Sequence, residues 1–139
     1  MEQAYIDNDL KFYTKKSLIL SGDPEKKTGN LYIGNFAAAQ DIKKLLKLNI
    51  KYVLSCMEKE LLTTLQIKYQ ENGITQKILE GSDVPHHDIS KHFPAGYDFI
   101  EMGLEQGNVM VHCFAGISRS TTLTLSYLMK KQQKPWREL

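Results

Sequence analysis

From Leu31 onward the chain alternates between two textures. Short runs are apolar almost without interruption, and longer stretches place apolar residues every three or four positions. The first run, Leu31-Tyr32-Ile33, predicts a strand that ends in Gly34-Asn35. Asn35 then suits the N-cap of a helix of about a dozen residues, with Ala38, Ile42, Leu45 and Leu46 on one face and Lys43, Lys44 and Lys47 on the other. Ile50 to Cys56 is β-branched and aromatic, so a second strand. Leu61, Leu65 and Tyr69, spaced by four, predict a helix that stops near Asn72-Gly73. Ile74 to Leu79 predicts a strand. Phe93, Tyr97, Ile100 and Leu104 mark a helix with Gly107 just past its end. Asn108 to His112 is a buried strand, and Ser120 to Lys131 a final helix. Residues 1–28 are mixed and polar, with a turn signal at Ser21-Gly22-Asp23-Pro24, and stand as an N-terminal extension or a first helix or strand. The alternation implies an α/β fold with a central, mostly parallel sheet flanked by helices. Such sheets bind ligands at the carboxyl ends of their strands, which is where Cys113 falls.

Composition narrows the setting. The length of 139 residues fits one domain, and 42% hydrophobic residues can supply its core. A net charge of +2 gives no reason to expect nucleic acid or a membrane as the main partner. Cys56 and Cys113 do not make a secreted disulfide framework. Met1-Glu2-Gln3 opens without a basic or apolar leader, and Glu2 stands where myristoylation needs glycine. No apolar run approaches the ~18 residues of a spanning helix. These features predict a cytoplasmic or nuclear protein, in a compartment that keeps thiols reduced.

The most specific stretch is His112-Cys113-Phe114-Ala115-Gly116-Ile117-Ser118-Arg119-Ser120. It resembles the phosphate-binding loop of the cysteine-dependent protein phosphatases, and the string H-C-x-A-G-x-S-R-S narrows the resemblance to the dual-specificity branch. The spacing has a physical reason. Five residues between Cys113 and Arg119 can curl into a ring of backbone N–H groups around a phosphomonoester dianion. Gly116 tolerates the positive φ such a ring favours. The positive end of the following helix would face the anion. Arg119 can hold two phosphate oxygens at once, which a lysine cannot. The same field favours a thiolate, since cations and helix N-termini lower a thiol pKa from ~8.5 to roughly 3.5–7.5. Cys113 is therefore the predicted nucleophile, ionised at neutral pH, rather than a merely buried cysteine at a strand end. The loop residues Phe114, Ala115, Gly116, Ile117, Ser118 and Arg119 form the predicted phosphate site.

The resemblance extends over roughly Gly29 to Leu139 and is patchy over 57–73. Leu31-Tyr32-Ile33-Gly34, Tyr52-Val53-Leu54-Ser55, Asp88-Ile89-Ser90-Lys91-His92-Phe93 and Ser126-Tyr127-Leu128-Met129 all look like family segments. It implies a dual-specificity phosphatase catalytic domain over 29–139 with a cysteine-phosphatase-like sandwich. Such domains continue past a segment like Pro135–Leu139 with another packed helix, so the resemblance implies a last helix cut short. It also implies a general acid on the loop about thirty residues before the cysteine. Aligning Ile89–Phe93 puts Asp83 on that acid, with Asp88 at the start of the next helix as the alternative. His112 is implied to support the loop. Ser120 has two readings, a hydrogen bond to the cysteine sulfur or a helix N-terminal serine. Neither metal nor cofactor is expected. His86, His87 and His92 lack the helical i,i+3 or i,i+4 spacing of a zinc site.

Cys56 closes the strand expected beside the nucleophile strand. It reads as a small buried apolar residue. Relatives in the wider superfamily carry a cysteine at the corresponding strand end, and that resemblance implies a redox partner for Cys113 as the alternative. Phe114, Ala115, Ile117 and Ser118 are uncharged, which favours phosphorylated proteins, protein kinases among them, as substrates. Phosphoinositides and RNA 5′ ends are weaker alternatives. A phosphate-binding adaptor without turnover is the alternative of another class, and the presence of Cys113 disfavours it.

Overall fold

The computed structural model describes residues 5–7, 16–20, 29–80, 89–114 and 118–133. In chain order the elements are β1 (Tyr5–Asp7), β2 (Lys16–Leu20), β3 (Leu31–Gly34), α1 (Phe36–Gln40), α2 (Ile42–Lys47), β4 (Ile50–Ser55), α3 (Thr63–Glu71), β5 (Thr75–Ile78), α4 (Phe93–Gln106), β6 (Asn108–His112) and α5 (Ser118–Gln132). Single 3₁₀ turns at Lys59–Leu62 and Ile89–His92 lead into α3 and α4.

The six strands form one sheet in the order β1-β2-β3-β6-β4-β5. β3, β6, β4 and β5 run parallel, and β1 and β2 join antiparallel at one edge. Helices cover both faces, as expected for strands that are apolar on both sides. Leu54, Val109 and Val111 point to one face, against Phe99, Ile100 and Leu104 of α4 and Leu123, Tyr127 and Leu128 of α5. Ile50, Val53 and Met110 point to the other, against Ala39, Leu45, Leu65 and Tyr69 of α1, α2 and α3. Tyr69 donates its hydroxyl to the Ala39 carbonyl at 2.6 Å, so its polar tip is satisfied inside the core. The α/β sandwich with a mostly parallel sheet is therefore the architecture the pattern predicts. Among the described residues no helix is long and apolar enough to cross a membrane.

Three elements differ from expectation. The single helix after Asn35 is two short ones. Asn35 caps α1 by accepting from the Ala38 N–H, and Asp41 breaks the run and caps α2 by accepting from the Lys44 N–H. A side chain that can bond the backbone three residues on offers the chain a new start. The break rotates Leu46 off the apolar face, and it is exposed. Leu61 is likewise exposed, because it lies in the 3₁₀ turn, and its neighbour Leu62 takes the buried place above Leu65. α5 begins at Ser118, two residues before the expected start. The Ser21–Pro24 turn, the Pro135–Leu139 segment and His86 and His87 lie outside the described residues.

Helix α4 approaches the sheet closely at Gly103. A Cβ there would sit 2.6 Å from Val109 Cγ2 and 3.1 Å from Tyr52 Cβ, both held in strands. Gly103→Ala should therefore destabilise the protein by about 1–2 kcal/mol, because overpacking costs about 1–3 kcal/mol and outweighs the ~1 kcal/mol gain in helix propensity. A lowered urea midpoint at unchanged slope checks this.

Candidate active site

The sequence places Cys113 one residue beyond β6, at the carboxyl end of the central strand. It is buried, and its Sγ lies 3.5 Å from Ser120 Oγ. Ser120 is itself fully buried in the first turn of α5, so the earlier helix start puts it inside the turn rather than at the cap. Arg119 is half-buried in that same turn, and its charge is felt by the neighbouring Cys56 thiol. The strand end and the positive end of a 15-residue helix thus converge on one sulfur.

His112 is held on the other face of the sheet. In a strand successive side chains alternate, so His112 joins the side of Met110 while Cys113 joins that of Val111. Its Nε2 is 2.6 Å from Ser55 Oγ and its Nδ1 is 3.4 Å from the Cys113 carbonyl. Phe36 stacks on the ring, with 6.2 Å between centroids. Full burial drives the imidazole pKa down to about 4, only partly opposed by the bond to the Cys113 carbonyl. His112 is therefore neutral at pH 7 and occupied structurally. The backbone N–H of Phe36 donates to the Phe114 carbonyl at 3.2 Å, which ties the start of α1 to the loop. Phe114 is exposed and packs against Phe36 at 5.6 Å between ring centroids.

Cys56 follows β4 directly beside Cys113, since Ser55 pairs with His112 and the Cys56 N–H donates to the His112 carbonyl at 2.9 Å. Both cysteines are free. Burial pushes the Cys56 thiol well up, the adjacent Cys113 adds to this, and Arg119 opposes it. Cys56 therefore stays protonated.

Asp83, Asp88, Ala115, Gly116 and Ile117 lie outside the described residues, as does the side chain of Ser118. The segment carrying both aspartates is flanked by the described residues Glu80 and Ile89. It leaves from Glu80, just past parallel strand β5, at the same end of the sheet as Cys113. His92 Nε2–H donates to the Glu80 carbonyl at 2.7 Å, which holds the two ends together.

Ser55, Gln76 and Phe36 belong to the surroundings of His112 and Cys113 and were not singled out as site residues by sequence. Ser55 had a signal, a lone hydroxyl in an apolar strand that burial would oblige to find partners. Gln76 and Phe36 had none. A separate apolar groove of about 570 Å³ runs between α4 and α5, lined by Phe93, Pro94, Tyr97 and Met129 and by no described residue of the phosphate loop. Among the described residues no group of three His, Cys, Asp or Glu side chains could hold a metal ion.

Residues 31–139 match the family model described as dual specificity phosphatase, catalytic domain. The chain is 40% identical over 101 residues to dual specificity protein phosphatase 26 of Bos taurus, covering 71% of this chain and 47% of that protein. It is 37% identical over 110 residues to dual specificity protein phosphatase 15 of Mus musculus, covering 78% of this chain and 44% of that one. The chain thus spans less than half the length of these curated relatives. Among solved structures, the crystal structure of DUSP15 superposes with a TM-score of 0.64 at 36% identity, over 78% of this chain and 65% of that one.

Proposed function

Because the chain belongs to the dual-specificity phosphatase family, we propose that it hydrolyses phosphotyrosine and phosphoserine or phosphothreonine in proteins through a phosphocysteine intermediate. The observation that carries this reading is Cys113 at the end of the central strand, its sulfur beside Ser120 Oγ at the head of α5.

In this mechanism the Cys113 thiolate attacks phosphorus in line. The phosphorus–oxygen bond to the substrate breaks, and Asp83 gives its proton to the leaving oxygen. Arg119, the loop N–H groups of 114–118 and the α5 terminus hold the equatorial oxygens, where charge gathers in the transition state. Asp83, now ionised, takes a proton from water as that water attacks the phosphocysteine. Phosphate leaves, and Ser120 donates a hydrogen bond to the departing thiolate. His112 supports the loop from behind. No metal enters the scheme.

The substrates in this reading are phosphorylated proteins, protein kinases among them, met in the cytoplasm or nucleus. The uncharged loop side chains support this over phosphoinositides. Cys56 is read as a packing residue, because a thiol held protonated by burial is a poor attacker. After mild peroxide, peptide mapping should show Cys113 oxidised to the sulfinic acid and no linked 56–113 peptide. A dominant linked peptide would make Cys56 a resolving thiol instead.

The direct test is phosphate release, without added metal, from a small aryl phosphate and from a peptide phosphorylated on both Thr and Tyr. Release from all three sites is the expected result. A folded chain that binds inorganic phosphate and releases none from any substrate would favour the adaptor reading.

A further inference from the structure

Gln76 stands on β5, two strands from the nucleophile, yet it ends a line of hydrogen bonds that reaches Cys113. Its Nε2 is 2.8 Å from Ser55 Oγ, Ser55 Oγ is 2.6 Å from His112 Nε2, and His112 Nδ1 is 3.4 Å from the Cys113 carbonyl. The three side chains cross β5, β4 and β6 on the face opposite the Cys113 side chain. The pairing places them there: Ser55 lies opposite His112, and Gln76 lies opposite Val53, two residues before Ser55 on the same face.

The protons of this line can be assigned by elimination. A carbonyl oxygen only accepts, so the Nδ1 that faces Cys113 must carry a proton. A neutral imidazole has one, so Nε2 accepts. Ser55 then donates its single proton to Nε2, and its lone pairs are left to accept from the Gln76 amide. At the outer end Gln76 donates, so nothing there competes with His112 Nε2 for the Ser55 proton. We propose that Gln76 is a positioning residue for the Cys113 nucleophile: its amide holds the Ser55 hydroxyl oriented onto His112 Nε2, which steadies the imidazole whose Nδ1–H pins the Cys113 carbonyl.

That carbonyl belongs to the first peptide of the phosphate loop. In a trans peptide the C=O and N–H point in opposite directions. Holding the Cys113 carbonyl toward His112 aims the Phe114 N–H the other way, toward the bound anion. The next carbonyl, that of Phe114, is held by the Phe36 N–H. Gln76 thereby acts on loop geometry across the sheet without touching substrate. The role rests on the phosphatase reading, but the proton assignment does not.

The test uses the full chain labelled with ¹⁵N in its 4 histidine rings. At neutral pH the wild type should show His112 neutral with its proton on Nδ1, and a proton on Nε2 instead would overturn the proposal. Gln76→Glu keeps the size and reverses the outer end, so Ser55 donates to the carboxylate and His112 Nε2 must become a donor. The His112 spectrum should change accordingly. Both kcat on an aryl phosphate and affinity for inorganic phosphate should fall about five- to tenfold, the worth of one hydrogen bond. Gln76→Met removes the donor without adding a competing acceptor, and should lose about two- to threefold in both while His112 keeps its Nδ1 proton. An unchanged His112 spectrum in Gln76→Glu, or wild-type kcat and phosphate affinity in both variants, would overturn the role. Should Gln76→Glu not fold, the wild-type spectrum and Gln76→Met decide it. A wild type that binds phosphate without turnover would instead defeat the phosphatase reading, and phosphate affinity would still test Gln76.

Discussion

Cys113→Ser ends phosphate release, with a fall in kcat on the order of 10⁴-fold or more, as expected when a covalent nucleophile is removed. The loss is chemical rather than structural. Serine is nearly the same size, and in the buried site its hydroxyl can still bond Ser120 Oγ, now 3.5 Å from the sulfur. What it lacks is an accessible anion at neutral pH. A serine nucleophile needs an adjacent base, and the imidazole of His112, next in the chain, is not available for that work. His112 faces the opposite side of the sheet, with one ring nitrogen on Ser55 and the other at the Cys113 carbonyl. Initial rates on an aryl phosphate, with the thermal transition as a control for folding, check the prediction. A correctly folded variant that kept more than about one per cent of turnover would place the nucleophile elsewhere, since that is less than a 10²-fold loss.

The second large effect is on acid stability. His112 titrates near pH 4 in the folded protein and near ~6.5 in the unfolded chain. The folded pKa is depressed, so between these values the unfolded chain binds more protons. Stability from the neutral buried ring is thus fully present above about pH 6.5 and is lost as the pH falls toward about 4. The gap corresponds to about 3 kcal/mol. Urea midpoints measured between pH 7.5 and 4 should show this loss in addition to that from carboxylates. His112→Asn keeps a short amide near the Nδ1 position and cannot charge. It should be the less stable protein at pH 7.5, and its stability relative to wild type should improve by about 3 kcal/mol by pH 4. A constant difference across the range would mean that the ring protonates freely.

The parts of this molecule that the sequence declared were those governed by periodicity and local chemistry. The apolar runs became β3, β4 and β6, and the 3–4 spacing from Phe93 to Leu104 became α4. The candidate site was legible as a motif because Cys113, Arg119 and Ser120 lie within a few residues of one another, at the end of β6 and the head of α5. Asp41 hid a break because a polar residue on a helix face usually signals nothing, whereas here it starts a new helix. Leu61 and Leu62 are adjacent leucines, and only the 3₁₀ turn decides which one enters the core. The hydrogen-bonded support behind Cys113 was the least visible part. Gln76, Ser55 and His112 are far apart in the chain and meet only because β5, β4 and β6 lie side by side in register. Strand order, unlike strand existence, is set by tertiary packing that no local pattern records.

That strand order has a consequence for how the protein is made. β6 is the last strand of the described sheet in chain order, yet it sits between β3 and β4, which do not pair with each other. A ribosome delivers β3, β4 and β5 first, and Leu31 must wait for Val109 before it finds its partner. Until then the nascent chain carries two apolar strands with open inner edges, the kind of surface that invites wrong pairing and chaperone binding. Pairings so distant along the chain also close slowly. The described sheet is completed by the keystone strand that carries Cys113 at its tip. Closing the core and building the site are thereby one event: α5 brings Arg119 and Ser120 to Cys113 as it brings Leu123, Tyr127 and Leu128 to the sheet.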